Sequence, residues 1–403
     1  MKIGIFVGKV PPPVFINQLV CGLAEAGHKV FLYGSSHDKN FRYNNPLLFV
    51  RTKPKYKIPL FFNSFFLILN IIIISRKNAF SILSQIKSNG FGIRNFLNRC
   101  SKVLPPFLDD LDIFHIQWAK TLVLYPEFIN NLKCPVVLSL RGSHINYSPL
   151  ADKNLSQRYK QYFPLISGFH AVSDAIAREA EKYAADPKII TVIRPAVKNS
   201  LLKKLPTPIT FNSKPVLKII SVGRCHWIKG YTLALDTMKG LKKQGLKFHY
   251  TIIAGGKDHE NINYQIQDLG LNVFVSFING LPHEKVIKLI AGSDLFLLSS
   301  VGEGISNVVL EAMALGIPVI SSDCGGMNEV IKNGVNGFIA PVRNTKALQK
   351  TIEDFIGIEK KNKLKIISNA QKTIRKNFLL DKQIDDMISF YHNSMSKSNH
   401  SQI

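Results

Sequence analysis

Acidic residues are scarce in this sequence of 403 residues: 27 Asp and Glu stand against 52 Lys and Arg, a net charge of +25. An excess of that size and sign points to an anionic partner or an anionic surface. Between Asp38 and Asp109 there is no acid at all, while Lys39, Arg42, Arg51, Lys53, Lys55, Lys57, Arg76, Lys77, Lys87, Arg94, Arg99 and Lys102 fall inside the gap. Cysteine is sparse as well. Cys21, Cys100, Cys134, Cys225 and Cys324 are scattered, without a C-x-x-C pair or a His cluster to complete a zinc site. A disulfide scaffold and a structural zinc are thereby excluded, and a reduced, cytoplasmic compartment is expected. The chain opens directly into the strand-like Lys2 to Val7, without the n-region, apolar core and cleavage site of a signal peptide. No repeat of solenoid length is present. Nucleic-acid binding or scaffolding is the reading that the charge alone raises, but no zinc finger or aromatic-rich basic sheet signature supports it.

The rest is ordinary globular composition, 46% hydrophobic and 20% charged, at a length that suggests two or three domains. Short apolar runs alternate with helix-length amphipathic segments, the pattern of parallel α/β sheets. In the first half strands are predicted at 3–7, 30–33, 113–116, 136–140, 169–172 and 190–193. In the second half they are predicted at 217–222, 250–254, 273–277, 295–298 and 318–321. The stretch 199–215, with Pro206, Pro208 and Pro215, fits neither pattern and reads as a linker. The expected division is residues 1–198, linker 199–215, a second domain at 216–358, and C-terminal helices at 359–403 free to pack back on the first domain.

The richest segment follows the run Leu295 to Leu298. Its Ser/Gly loop carries Glu303, and a helix starts near Ser306, with Glu311 inside it. Open parallel sheets bind ligands at the carboxyl ends of their strands, which is where this loop lies. On one helix, eight residues would separate the two glutamates by about 80° and roughly 12 Å along the axis. They suit the two ends of a long ligand, with the helix N–H groups around Gly304, Ile305, Ser306 and Asn307 holding an anion between them. A sugar joined through a diphosphate to a nucleoside has that layout. After Leu217 to Val222, the loop Gly-Arg-Cys-His-Trp-Ile-Lys-Gly places Arg224 and Lys229 at another carboxyl end, where both can reach a diphosphate.

The Glu-x7-Glu of Glu303 and Glu311, the Gly-Arg-x4-Lys-Gly at 223–230, Ala254-Gly255-Gly256, and Gly325-Gly326 with Glu329 resemble the retaining nucleotide-sugar glycosyltransferases of GT-B fold, of the bacterial surface-polysaccharide type. The resemblance implies an α/β chain with two Rossmann-like domains facing across a cleft, the donor bound mainly by the second and the acceptor by the first. It assigns Glu303 to the donor sugar, Glu311 to the ribose, and Arg224 and Lys229 to the diphosphate. It implies a UDP- or GDP-type donor as substrate and no separate cofactor. It also implies front-face attack without a covalent carboxylate intermediate. An epimerase or phosphorylase of the same fold is the enzymatic alternative.

The first half departs from the family pattern. Arg141-Gly142-Ser143-His144 stands where many members carry His-Gly-x-Asp, and Gly8-Lys9-Val10-Pro11-Pro12-Pro13 replaces the glycine-rich first loop. Lys9, Arg141 and His144 are the acceptor-side candidates, at the carboxyl ends of first-domain strands. The one Asp-x-Asp, Asp110-Leu111-Asp112, precedes a strand, so a metal-independent reaction is expected. Ser173 is expected to cap a helix, whereas His115 and Gln117 fit a cleft or a core equally well. The run Ile58 to Ile74, apolar apart from Asn63, Ser64 and Asn70, falls short of the roughly twenty residues of a spanning helix. It reads either as a buried helix or as one lying on an anionic membrane surface among basic neighbours, which would make the protein peripheral on the inner membrane face and its glycan acceptor lipid-linked.

Overall fold

The computed structural model describes residues 1–36, 41–53, 56–74, 76–88, 92–202, 216–256 and 259–400. The chain divides into two units, one of Met1–Ile193 with Gln383–Ile403 and one of Arg194–Lys382.

The first unit is built on a seven-stranded parallel sheet. Its strands are β1 (Lys2–Val10), β2 (Lys29–Ser36), β3 (Leu48–Lys53), β4 (Ile113–Ile116), β5 (Val136–Leu140), β6 (Gly168–Ala171) and β7 (Ile190–Val192), in the spatial order β3-β2-β1-β4-β5-β6-β7. The second unit has β8 (Leu217–Arg224), β9 (Phe248–Gly255), β10 (Val275–Ile278), β11 (Leu295–Leu298), β12 (Val319–Ser322) and β13 (Phe338–Ala340), ordered β10-β9-β8-β11-β12-β13. Both are α/β sheets of Rossmann type. In each, the strand order reverses once, between β1 and β4 and between β8 and β11, and the loops leaving those strands open the crevice where such sheets take ligands.

The apolar runs are continuous because both faces of each sheet are covered. In the second unit, Ile220, Phe296 and Leu298 point into one hydrophobic layer, while Ile219, Leu295 and Leu297 point into the other. The strands β3 and β13 escaped the sequence reading. The first is an edge strand interrupted by Arg51 and Lys53, and the second is three residues long.

The domain boundaries need correction. Residues 203–215 of the expected linker lie outside the described residues, and Asn199–Leu202 is a 3-10 turn whose Leu201 and Leu202 pack on the second core. The second unit therefore begins at Arg194, and the Arg194 guanidinium is fixed by two hydrogen bonds to Glu329. The helix Lys360–Asn377 also belongs to this unit: Ala370 and Ile374 enter its core, and Gln371 Nε2 donates to the Ala314 carbonyl. Only the last helix, Leu380–His400, joins the first unit, from Gln383 onward.

That last helix is locked by a buried chain of hydrogen bonds. His170 Nε2 lies 2.9 Å from the Ile193 carbonyl and must donate to it, so a neutral His170 accepts at Nδ1 from Ser139 Oγ. Ser139 Oγ then accepts from His115 Nε2, and His115 Nδ1 accepts from the Tyr391 hydroxyl at 2.7 Å. Every group has its partner in one direction. Burial keeps both imidazoles neutral, holding His170 down at about 3 and His115 well below its ordinary value. His115 is thus core, one of the two places the sequence left open for it.

Candidate active site in the second unit

The loops after β8 and β11 meet at the switch point of the second sheet. Val301 N donates to the Ile228 carbonyl at 2.7 Å, and Ser299 Oγ donates to the Lys229 carbonyl. Gly230, at φ 61°, lies so close to the Ser299 carbonyl that a Cβ has no room there. This backbone fit brings Lys229 Nζ to 2.5 Å from Glu303 Oε1, and the Ser300 hydroxyl donates to the same oxygen at 2.7 Å. Both charged side chains are about one-seventh exposed, at 15% and 14%. The family resemblance implies Lys229 on a diphosphate and Glu303 on a sugar; in the structure, which holds no donor, the two side chains pair with each other. Arg224 ends β8 exposed, with no carboxylate paired to it among the described residues.

The Glu303 loop is held from its other side by the turn after β12. Gly326 N donates to the Gly304 carbonyl at 2.7 Å, and Gly325, at φ 58°, touches the Glu303 carbonyl. Ser322 Oγ donates to the Ser300 carbonyl. The neighbouring Cys324 is buried, which pushes its thiol up to about 12 and makes it inert as a nucleophile.

The helix Asn307–Ala314 begins at this loop. Ser306 stands at its N-cap position, but its side chain makes no capping bond. The N–H groups of a first turn have no carbonyl partner inside the helix, so this end is suited to an anion. The buried Asn307 Oδ1 has no hydrogen-bond partner among the described residues, so an acceptor waits there for a donor. Gly304 and Ile305 are buried, and the Ile305 side chain belongs to the core, which leaves only its backbone for a ligand.

Glu311 is turned inward at 8% exposure, and its Oε1 lies 2.8 Å from His283 Nε2. The hydrogen bond to that carboxylate raises the His283 pKa above its ordinary value. His283 was missed in the sequence. It opens the helix His283–Ala291 just after the carboxyl end of β10, a position that was the available signal.

The acceptor-side candidates fall into two groups in the first unit. Arg141 Nη2 donates to Gln117 Oε1 at 3.1 Å and lies over the Phe15 ring, which meets Trp118 edge-on; Trp118 in turn packs beside His144. Burial lowers the Arg141 guanidinium to about 10. Gln117 is therefore a partner of Arg141, and its buried Nε2 has no partner among the described residues. Lys9 belongs elsewhere, lining a pocket with Arg51, Lys102 and Tyr125. Asp110 and Asp112 hold the Lys2 side chain and backbone N–H at the amino edge of the sheet, opposite the ligand edge. Ser173 caps its helix, accepting from Ile176 N.

Residues 13–200 match the family described as Glycosyltransferase Family 4, and residues 208–373 match Glycosyl transferases group 1. A putative colanic acid biosynthesis glycosyltransferase of Escherichia coli, WcaL, is 26% identical over 76% of each chain. The amylovoran biosynthesis glycosyltransferase AmsK of Erwinia amylovora is 29% identical, and the match spans 60% of each chain. Among solved structures, Anabaena HepE in complex with UDP-glucose superposes with a TM-score of 0.69 at 18% identity, covering 96% of this chain and 99% of that one, which speaks to the fold alone. Each of the two Rossmann-type units is thus similar to a glycosyltransferase family, and together the two matches span most of the chain.

Proposed function

We propose that the protein transfers a hexose, with retention and without a metal ion, from a UDP- or GDP-sugar to a polysaccharide-precursor or lipid-linked acceptor. The observation that carries the reading is the Lys229–Glu303 pair at the β8/β11 switch point, beside exposed Arg224 and the uncapped start of the Asn307 helix. Loss of the nucleoside diphosphate leaves developing negative charge, and Arg224, Lys229 and the N–H groups near Ser306 are the groups that would stabilise it. Glu303 would hold Lys229 in place until the donor arrives and then meet the sugar. Glu311, oriented by His283, would accept hydrogen bonds from the ribose. The acceptor would attack from the face the leaving group departs from, unlike the route of retaining glycosidases through a pair of carboxylates. The polysaccharide context comes from the names of WcaL and AmsK.

The test is a panel of UDP- and GDP-hexoses incubated with the protein and polyprenyl-phosphate or oligosaccharide acceptors. Released nucleoside diphosphate is assayed, and product anomers are read by NMR. Consumption of one nucleotide sugar, a retained anomer and indifference to chelator are expected. An inverted anomer would overturn retention, and activity that vanishes with chelator and returns with manganese would overturn metal independence. Consumption of inorganic phosphate, or isomerisation of the sugar without transfer, would establish the phosphorylase or epimerase alternative.

A further inference from the structure

The carboxyl edge of the first sheet holds a cation without a counter-charge. Arg141 follows the last residue of β5 and Gln117 the last residue of the neighbouring β4, beside the point where the strand order reverses. Arg141 is half-buried; its Nη2 donates to Gln117 Oε1 at 3.1 Å and lies 3.5 Å from Ser139 Oγ. Among the described residues no carboxylate pairs with it, and burial lowers the guanidinium, which still stays charged at neutral pH. Two donors at this spot are buried and without a partner among the described residues, Arg141 Nε and Gln117 Nε2, and the Gln117 side chain is wholly enclosed. Native proteins satisfy nearly every buried donor, and an enclosed guanidinium is destabilising until something brings the missing negative charge.

The surroundings narrow what that something is. The guanidinium lies over the Phe15 ring at 5.1 Å, and Phe15 meets the half-buried Trp118 edge-on at 6.1 Å. The cation is therefore set among aromatic rings, whose apolar bodies suit the C–H face of a sugar. Lys9 lines a different pocket, which leaves the Arg141 guanidinium to carry the charge. A carboxylate is planar and singly charged, as the guanidinium is, and accepts its N–H fork. A phosphate monoester carries nearly two charges at neutral pH, and one guanidinium would leave it half balanced.

We infer that Arg141 and Gln117 form a binding site for the carboxylate of an acidic acceptor sugar, one of uronic-acid type. The carboxylate accepts hydrogen bonds from the guanidinium and from Gln117 Nε2, and it supplies the counter-charge that the first unit lacks. The inference rests on the transferase reading and names a class of acceptor for it. Carboxylate binding is measured without any donor, so its failure would leave that reading standing.

The experiment uses the only two tryptophans of the chain, Trp118 and Trp227: in Trp227→Phe protein the fluorescence reports from Trp118, beside the site. The protein is titrated with methyl glucuronide, with methyl glucoside, which carries a hydroxymethyl group in place of the carboxylate, and with glucose 6-phosphate. The glucuronide should bind at least tenfold more tightly than the glucoside, the value of hydrogen bonds to a charged group. Arg141→Met should abolish that preference and Arg141→Lys, which keeps the charge but loses the fork, should reduce it. The unfolding temperature of Arg141→Met should equal or exceed that of wild type, because the replaced charge had no partner. No binding of the glucuronide, or equal affinity for glucuronide and glucoside, would overturn the inference. Tighter binding of glucose 6-phosphate would overturn the choice of a carboxylate, and a fall in unfolding temperature for Arg141→Met would make Arg141 a structural residue. A preference for UDP-glucuronate over UDP-glucose that Arg141→Met removes would assign the carboxylate to the donor and overturn its placement on the acceptor.

Discussion

Replacing Gly325 by Ala tests whether the glycine turn after β12 sets the position of Glu303. Gly325 has φ 58°, a conformation that costs an L-residue about 1–2 kcal/mol, and its Cβ would meet the Glu303 carbonyl oxygen head-on. The loop must yield, and forced overpacking of that kind costs about 1–3 kcal/mol more. Gly334 supplies the control within the same unit: its φ is 73°, but a Cβ there meets nothing within 4 Å. Gly334→Ala should therefore pay the backbone term alone. At about 2–4 °C per kcal/mol for a unit of this size, Gly325→Ala should lower the unfolding temperature by roughly 2–12 °C beyond the Gly334 variant. It should also slow sugar transfer, because the Gly326–Gly304 hydrogen bond and the Lys229–Glu303 pair lie on the loop that moves. Differential scanning calorimetry of both variants reads the first effect, and donor turnover reads the second. Equal shifts and equal turnover for the two alanines would refute the reasoning.

The two glutamates should divide the donor between them. Glu311→Ala should weaken binding of the free nucleoside diphosphate by about 1.5–3 kcal/mol, the value of a hydrogen bond to a charged group, whereas Glu303→Ala should slow turnover and leave that affinity nearly unchanged; titration calorimetry and initial rates separate the two. The histidines should respond to pH with opposite signs. The folded-state pKa of His283 is raised by Glu311, so the stability it contributes is complete below its unfolded value near 6.5 and is lost as pH rises through the raised value; the gap between wild type and His283→Gln should close at alkaline pH. His170 is held down at about 3, so its neutral, buried form is favourable above pH 6.5, and that contribution drains away as pH falls from 6.5 toward 3. A pH series of thermal unfolding for His283→Gln and Ser139→Ala reads both slopes.

Much of the second site was legible because its residues follow strands that are buried on both faces. An unbroken run such as Leu295 to Leu298 locates its own carboxyl end, so Glu303, Arg224 and Lys229 were placed at the ligand edge from sequence alone. Their pairing was not legible. Lys229 and Glu303 are 74 residues apart, and only the β8-β11 adjacency makes them neighbours. The first unit was harder to read for a related reason: Lys9 lies among the last residues of β1 and Arg141 and His144 follow β5, yet Arg141 and His144 gather round Trp118 while Lys9 lines another pocket. In Ile58 to Ile74 the polar residues read as defects in an apolar run. Ser64 turns out to be its inward anchor, which depends on the partner helix Ile93–Val103 and not on the run itself.

The most direct measurement is calorimetric titration of UDP and GDP into wild type, Arg224→Met, and the paired Lys229→Met/Glu303→Gln, which removes Lys229 without stranding a buried carboxylate. If the diphosphate binds at the β8/β11 switch point, wild type should bind one of the two nucleotides saturably. Each variant should then lose about 1.5–3 kcal/mol, at least a tenfold fall in affinity. Unchanged affinity in both variants would contradict the account, because it would place the diphosphate away from Arg224 and Lys229.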